Sequence, residues 1–264
     1  MVRTCTYSAL ILRARSSGES NRDLWFLTAE EGILRATLFG GPKSRLRAYA
    51  APFHQGTLWI YHDPVRDSRK VTDFDVTAWR PGIRERYERS AAASAVAETI
   101  LTAHGGGGEW TRALDLAGRA LDTLERADEG LCPEILIRFL WDWTDVLGCR
   151  PELIRCGSCA CEAPADGVLW YVRREGILLC PACAGGGPET WEAGNRGGRS
   201  PRRDSGDYLP LGPGARRWLL SADTPDPSRP GGVPDAVSLA QAKALVTDIL
   251  AGLFGRPLGT WDEL

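Results

Sequence analysis

Histidine and lysine are scarce in this chain, three of each in 264 residues, and methionine occurs once. His54, His62 and His104 belong to no H-E-x-x-H pair and to no triad-like motif. Neither a G-x-S-x-G elbow nor a dinucleotide-binding glycine fingerprint after a strand occurs. Paired carboxylates such as Glu30 and Glu31 read as turn residues. No catalytic residue is therefore expected, and the chain reads as a non-enzyme. No apolar run reaches the roughly 18 residues that a membrane helix needs, so no membrane partner is expected. The stretch Met1 to Leu12 lacks the apolar core and small-residue cleavage site of a secretory signal. The expected compartment is the cytoplasm.

Excess charge is also missing from the chain as a whole, which carries a formal net charge of -2. Its distribution is uneven. Residues 1–80 hold 12 Lys or Arg against 8 Asp or Glu, and the remainder is acidic. A local excess of this size permits contact with nucleic acid without establishing it. The preference for Arg over Lys needs no more than codon usage to explain it.

Cysteine, by contrast, is plentiful and clustered. Five of the eight cysteines, Cys156, Cys159, Cys161, Cys180 and Cys183, fall within 28 residues. In a reducing compartment such clustering points to metal rather than to disulfides. Cys156-Gly157-Ser158-Cys159 and Cys180-Pro181-Ala182-Cys183 are two C-x-x-C turns separated by twenty residues. Each turn sets two sulfurs on one side of a metal, and a hairpin over Val168 to Val172 and Gly176 to Leu179 brings the two turns together. Four thiolates suit one tetrahedral Zn²⁺ per chain and leave no open position for water, so the site is expected to be structural. Cys161 is a spectator in this reading.

Residues 1–80 read as β. Short apolar runs at Tyr7 to Leu12, Leu24 to Thr28, Ile33 to Phe39, Phe53 to Tyr61 and Val71 to Trp79 are separated by Gly and Pro turns, which suggests a small barrel or sandwich. The character changes at Pro81. Helices are predicted over Arg84 to His104, Glu109 to Ala127 and Cys132 to Leu147, with Gly148 as the last one's stop. A short helix near Ala215 to Leu220 is followed by a final one capped by Ser238, whose apolar face includes Leu239, Ala242, Leu245, Val246, Ile249 and Leu253. That face is expected to pack on the earlier helices. Gly185 to Gly206 and Pro225 to Pro234 read as loops.

One further stretch carries charge. Gly40-Gly41-Pro42 is followed by Lys43, Arg45 and Arg47. The three cations either contact DNA phosphates or decorate a solvated hairpin. Pro42 and the lack of the required upstream Gly exclude a phosphate-binding P-loop. Trp25, Trp59 and Trp79 in the same region are candidates for stacking bases, and packing is the expected use of at least two of them.

Leu27-Thr28-Ala29-Glu30-Glu31-Gly32, Lys43-Ser44-Arg45-Leu46, and the run Gly148, Pro151, Leu153 and Cys156 resemble motifs of the RecO family of bacterial recombination mediators. The resemblance covers about residues 1–185. Composition, periodicity and cysteine spacing give an α+β multidomain chain: a barrel over 1–80, a helical-bundle domain over 81–155 and 207–264, an inserted four-cysteine zinc hairpin over 156–184, and a flexible loop over 185–206; the resemblance implies that the barrel is an OB-fold. It further implies binding and annealing of single- and double-stranded DNA, partnership with RecR and single-strand-binding protein, indirect action on RecA, and a place with the nucleoid. A different reading stays open: a zinc-ribbon scaffold or regulator that works through protein contacts only. Salt-sensitive binding to a bare oligonucleotide separates the two.

Overall fold

The computed structural model describes residues 4–40, 44–185, 207–221 and 234–261. The expected loop over 185–206 lies, apart from Gly185, outside the described residues, as does most of the expected loop over 225–234. The chain divides into two compact units, Met1–Leu147 with Leu258–Leu264, and Gly148–Pro257.

The first unit begins with five strands, β1 (Thr4–Ser17), β2 (Asn21–Thr28), β3 (Gly32–Leu38), β4 (Gln55–Asp63) and β5 (Ser68–Ala78). They close in the order β1-β2-β3-β5-β4. Every neighbouring pair is antiparallel except β3 and β5, which meet in parallel at Thr37 with Lys70 and Leu38 with Val71. A five-stranded closed barrel with this connectivity is the OB-fold, as the resemblance implied. Alternation along the strands fills it: Tyr7, Ala9 and Ile11 from β1, Leu24 and Phe26 from β2, and Leu58 and Ile60 from β4 all turn inward. The apolar pattern predicts only about half of β1, because the strand's outer ends are polar and carry no apolar signal.

Leu10 and Leu27 face the opposite way and are also fully buried. They are cross-strand partners on the outer face of the barrel. Helices α2 (Tyr87–Thr102) and α3 (Trp110–Arg126) cover that side, and α4 (Cys132–Val146) packs on both helices. The predicted stripe Leu114, Ala117, Leu121 and Leu124 is the buried face of α3. Gly148 ends the α4 segment as expected, with φ +69 in the left-handed region.

Arg80 fastens barrel to helices. Its side chain is 2% exposed. Nε donates to Asp122 of α3 at 2.7 Å, and Nη1 donates to the Phe53 carbonyl at 2.8 Å. Nη2 donates to Gln55 Oε1 at 2.9 Å and to the Gly118 carbonyl at 3.3 Å. Its backbone is left-handed, φ 47 and ψ 55, which costs a non-glycine residue about 1 kcal/mol or more. The guanidinium's four bonds hold it there.

In the second unit, β6 (Leu169–Val172) pairs with β7 (Ile177–Leu179), and β8 (Tyr208–Leu211) adds to the other edge of β6. Helices α5 (Pro213–Leu220) and α6 (Ala236–Phe254) follow. The stretches 81–155 and 207–264, expected as one domain, are divided between the two units, and α6 lies in the second, where it packs on α5 and β8. The Arg173 to Asp248 ion pair at 2.8 Å and the Arg216 bond to the Pro164 carbonyl at 2.7 Å tie α6 and α5 to the cysteine segment. The turn Gly259–Trp261 belongs to the first unit and meets α2, where Thr260 N donates to Glu98 at 3.2 Å. Asp235, rather than Ser238, caps α6; the Ser238 amide and hydroxyl both donate to its carboxylate at 2.9 Å. Leu253 lies outside the buried face and is exposed. By length and composition alone α6 could also cross a membrane, although Ser238, Gln241, Lys243, Thr247 and Asp248 break its apolar run; about a third of it is buried.

Replacing Arg80 with Ala removes four hydrogen bonds and leaves two buried carbonyls without them, so the first unit should lose about 3 kcal/mol. Asp122→Asn, at the half-exposed end of the pair, should cost about 1 kcal/mol or less. Urea unfolding followed by circular dichroism checks both. Equal, small losses would mean that Arg80 does not hold barrel and helices together.

Candidate metal centre and nucleic-acid face

Two short turns carry the four cysteines. In the first, the Cys156 amide donates to the Cys161 carbonyl at 2.9 Å and the Ala160 amide to the Cys156 carbonyl at 2.9 Å. Gly157 N donates to the Leu178 carbonyl at 2.8 Å, which lays this turn against β7. A side chain at Gly157 would meet Ile177 at 2.8 Å, so only glycine permits the approach. In the second turn the Ala184 amide closes on the Cys180 carbonyl at 2.9 Å. The β6–β7 hairpin, formed where the sequence predicted it, brings the two turns together.

The Sγ atoms of Cys156, Cys159, Cys180 and Cys183 all lie within 4.8 Å of one another. Cys159 and Cys180 are 3.9 Å apart. A tetrahedral ion with metal–sulfur bonds of about 2.3 Å sets its ligands roughly 3.8 Å apart, so the donor set fits such an ion. Burial alone would raise the Cys156 thiol, but amides of Cys159, Cys180 and Ser158 aimed at it outweigh that and bring it down to about 6. Hydrogen bonds to Cys159 and Cys180 push Cys183 the other way, to about 12. One thiolate thus forms readily, and the last resists ionising beside its neighbours until a cation compensates. Cys161 is exposed and stands outside the group, as do Cys5, Cys132 and Cys149.

The basic stretch corrects the expectation of a hairpin loop. Ser44 opens a one-turn helix, α1 (Arg45–Tyr49), between β3 and β4. Lys43 lies outside the described residues. Arg45 is exposed; its Nη2 donates to the Tyr49 hydroxyl at 2.9 Å and its guanidinium sits 5.8 Å from that ring. Arg47 reaches the β1–β2 turn, where Nη1 donates to the Ser20 carbonyl at 3.3 Å. Arg22 donates to the Arg47 carbonyl, and burial together with the Arg47 charge holds its guanidinium below the ordinary value. Among the described residues no carboxylate is ion-paired with Arg22, Arg45, Arg47 or Arg84.

Other cations are committed to structure. Arg89 donates to the carbonyls of Ala127, Gly82 and Glu125, and Arg86 pairs with Glu129 at 3.3 Å. The three tryptophans also separate. Trp25 lies beneath Arg15 at 5.9 Å and Arg35 at 5.0 Å. Trp59 is a half-buried member of β4, paired across the sheet with Thr6 and Asp73. Trp79 is 43% exposed. Sequence reasoning named Trp79 but missed its neighbours Tyr49 and His54, which approach it only through the fold.

Fold and site together describe an OB-fold protein with a following helical bundle and a four-cysteine cluster able to hold a metal ion. Two family models match, Recombination protein O N terminal over residues 1–78 and Recombination protein O C terminal over residues 84–197. The chain belongs to the RecO family. It is 29% identical over 181 residues to the DNA repair protein RecO of Rubrobacter xylanophilus, covering 68% of this chain and 71% of that one. It is 29% identical over 179 residues to the protein of that name from Pelotomaculum thermopropionicum, covering 66% of each chain. With that of Bacillus subtilis it shares 27% identity over 177 residues, again 66% of each.

The purified chain should hold about one metal ion. Cys180→Ser should lose it, whereas Cys161→Ser should keep it. Elemental analysis of the two variants checks the ligand set, and full metal occupancy in the Cys180 variant would refute it.

Proposed function

We propose that this protein is a DNA-binding recombination mediator in DNA repair, acting without catalysis. It binds and anneals DNA strands, works with RecR, engages single-strand-binding protein and promotes loading of RecA on strands which that protein coats. The setting is the cytoplasm, at the nucleoid. Zn²⁺ is the metal in the thiolate knuckle, where it serves structure. Family membership supports the reading as a whole. The observation that carries its DNA-binding part is the cation cluster on α1 and the β1–β2 turn, Arg22, Arg45 and Arg47, with no carboxylate ion-paired with it among the described residues.

Phosphate contacts release counterions, so each contact on a single strand adds about 0.7 to the slope of log affinity against log salt. Arg45→Ala combined with Arg47→Ala should weaken binding to all sequences alike and flatten that slope by about 1.4. Anisotropy titrations of a labelled oligonucleotide at several salt concentrations give both numbers. A double variant that keeps the parent's affinity and slope would leave these arginines as surface decoration. A parent chain that does not bind bare DNA at all would favour the scaffold that acts through protein contacts only.

A further inference from the structure

Trp79 follows the end of β5 and immediately precedes the left-handed Arg80. Because Arg80 turns inward to its four partners, the indole next to it is left at the surface. Two rings hold it in edge-to-face geometry, Tyr49 at 5.0 Å and 86°, and His54 at 5.1 Å and 66°. His54 is itself fixed. It is 3% exposed, its Nδ1 donates to the Tyr49 carbonyl at 2.7 Å, and its Nε2 accepts from Arg84 at 3.3 Å. Those partners select the neutral tautomer, and burial first, then the charges of Arg84 and Arg80, hold the imidazole below its ordinary pKa.

Each supporting ring has a cation as neighbour, one over its face and one bonded at its edge nitrogen. Arg45 lies over Tyr49, and Arg84, exposed, is anchored by the Pro52 carbonyl at 3.0 Å as well as by His54. The arrangement differs from that at Trp25, where the chain's own guanidiniums lie over the ring. It is an exposed aromatic, braced on a rigid base, with positive charge beside it. Neutral apolar partners would gain nothing from the two guanidiniums, whereas a single nucleic-acid strand offers a π-face and flanking phosphates together.

We propose that Trp79 is a base-stacking residue, which receives one nucleobase of a single strand while Arg45 and Arg84 hold the adjoining phosphates. This rests on the reading of the barrel as a DNA-binding domain and adds to it a contact with the base itself, where the arginines of α1 touch only the backbone. The platform favours unpaired over paired strands, since a duplex keeps its bases stacked on one another.

The test compares the full chain with Trp79→Ala, Trp79→Phe and Arg84→Ala on two labelled strands of equal length and charge, oligothymidylate and an abasic oligomer, at one salt concentration. The parent should bind oligothymidylate more tightly than the abasic strand. Trp79→Ala should lose between about 5-fold and 150-fold on oligothymidylate and nothing on the abasic strand. Trp79→Phe should keep most of the preference. Arg84→Ala should weaken both strands equally. Equal losses on both strands from Trp79→Ala would make the indole a structural brace and overturn the proposal, as would an unchanged preference. If the parent binds neither strand, the DNA-binding reading itself fails; if it binds both alike, only the stacking assignment falls.

Discussion

The buried guanidinium of Arg80 is the interaction on which the first unit depends. A closed barrel of about 80 residues buries too little apolar surface to be secure alone. Here its outer face at Leu10 and Leu27 is covered by helices, and Arg80 bonds to carbonyls or side chains of both parts at once. The same residue sets the surface chemistry. By taking a left-handed backbone and turning inward, it leaves Trp79 outside and starts the turn that carries Arg84 to His54. Stability and the candidate binding face thus come from one local conformation.

The second unit rests on a different constraint. Its two short strands β6 and β7 bury Leu169, Tyr171, Val172, Leu178 and Leu179, and the cluster beside the cysteine turns is small: Cys156, Val172, Leu179 and Cys180. Four thiols this close are an awkward group without a cation, since each ionised sulfur opposes the next. A bound ion would convert that repulsion into four bonds and tie the two cysteine turns together beside the hairpin, which β8, α5 and α6 extend.

Features with a repeating or invariant local signal were legible in the sequence. The barrel strands alternate, α3 and α4 repeat at helical spacing, and paired C-x-x-C turns read as a tetrahedral site because ligand chemistry demands that spacing. Features decided by distant partners were not. Helix α1 spans five residues, too few to display a period, and so resembles a loop in sequence. β8 is four residues long, contains Pro210 and finds its partner β6 nearly forty positions earlier. The face of α6 announces that it will be buried but not against what. Asp235 and Ser238 are both good capping residues, and only the backbone shows which one stands outside the first turn. Arg80 stands at an apparent boundary beside Pro81, and nothing local reveals that Asp122, Gln55 and two carbonyls await it.

The proposed path of single-stranded DNA runs across the end of the barrel formed by α1, the segment after it, and the chain around Trp79. Hydrogen–deuterium exchange of the full, metal-loaded chain with and without oligothymidylate reads this directly. Exchange should slow in peptides covering Arg45 to His54 and Trp79 to Glu85, with peptides of α6 unchanged. Protection confined to residues 148–257, with the barrel peptides unaffected, would contradict it.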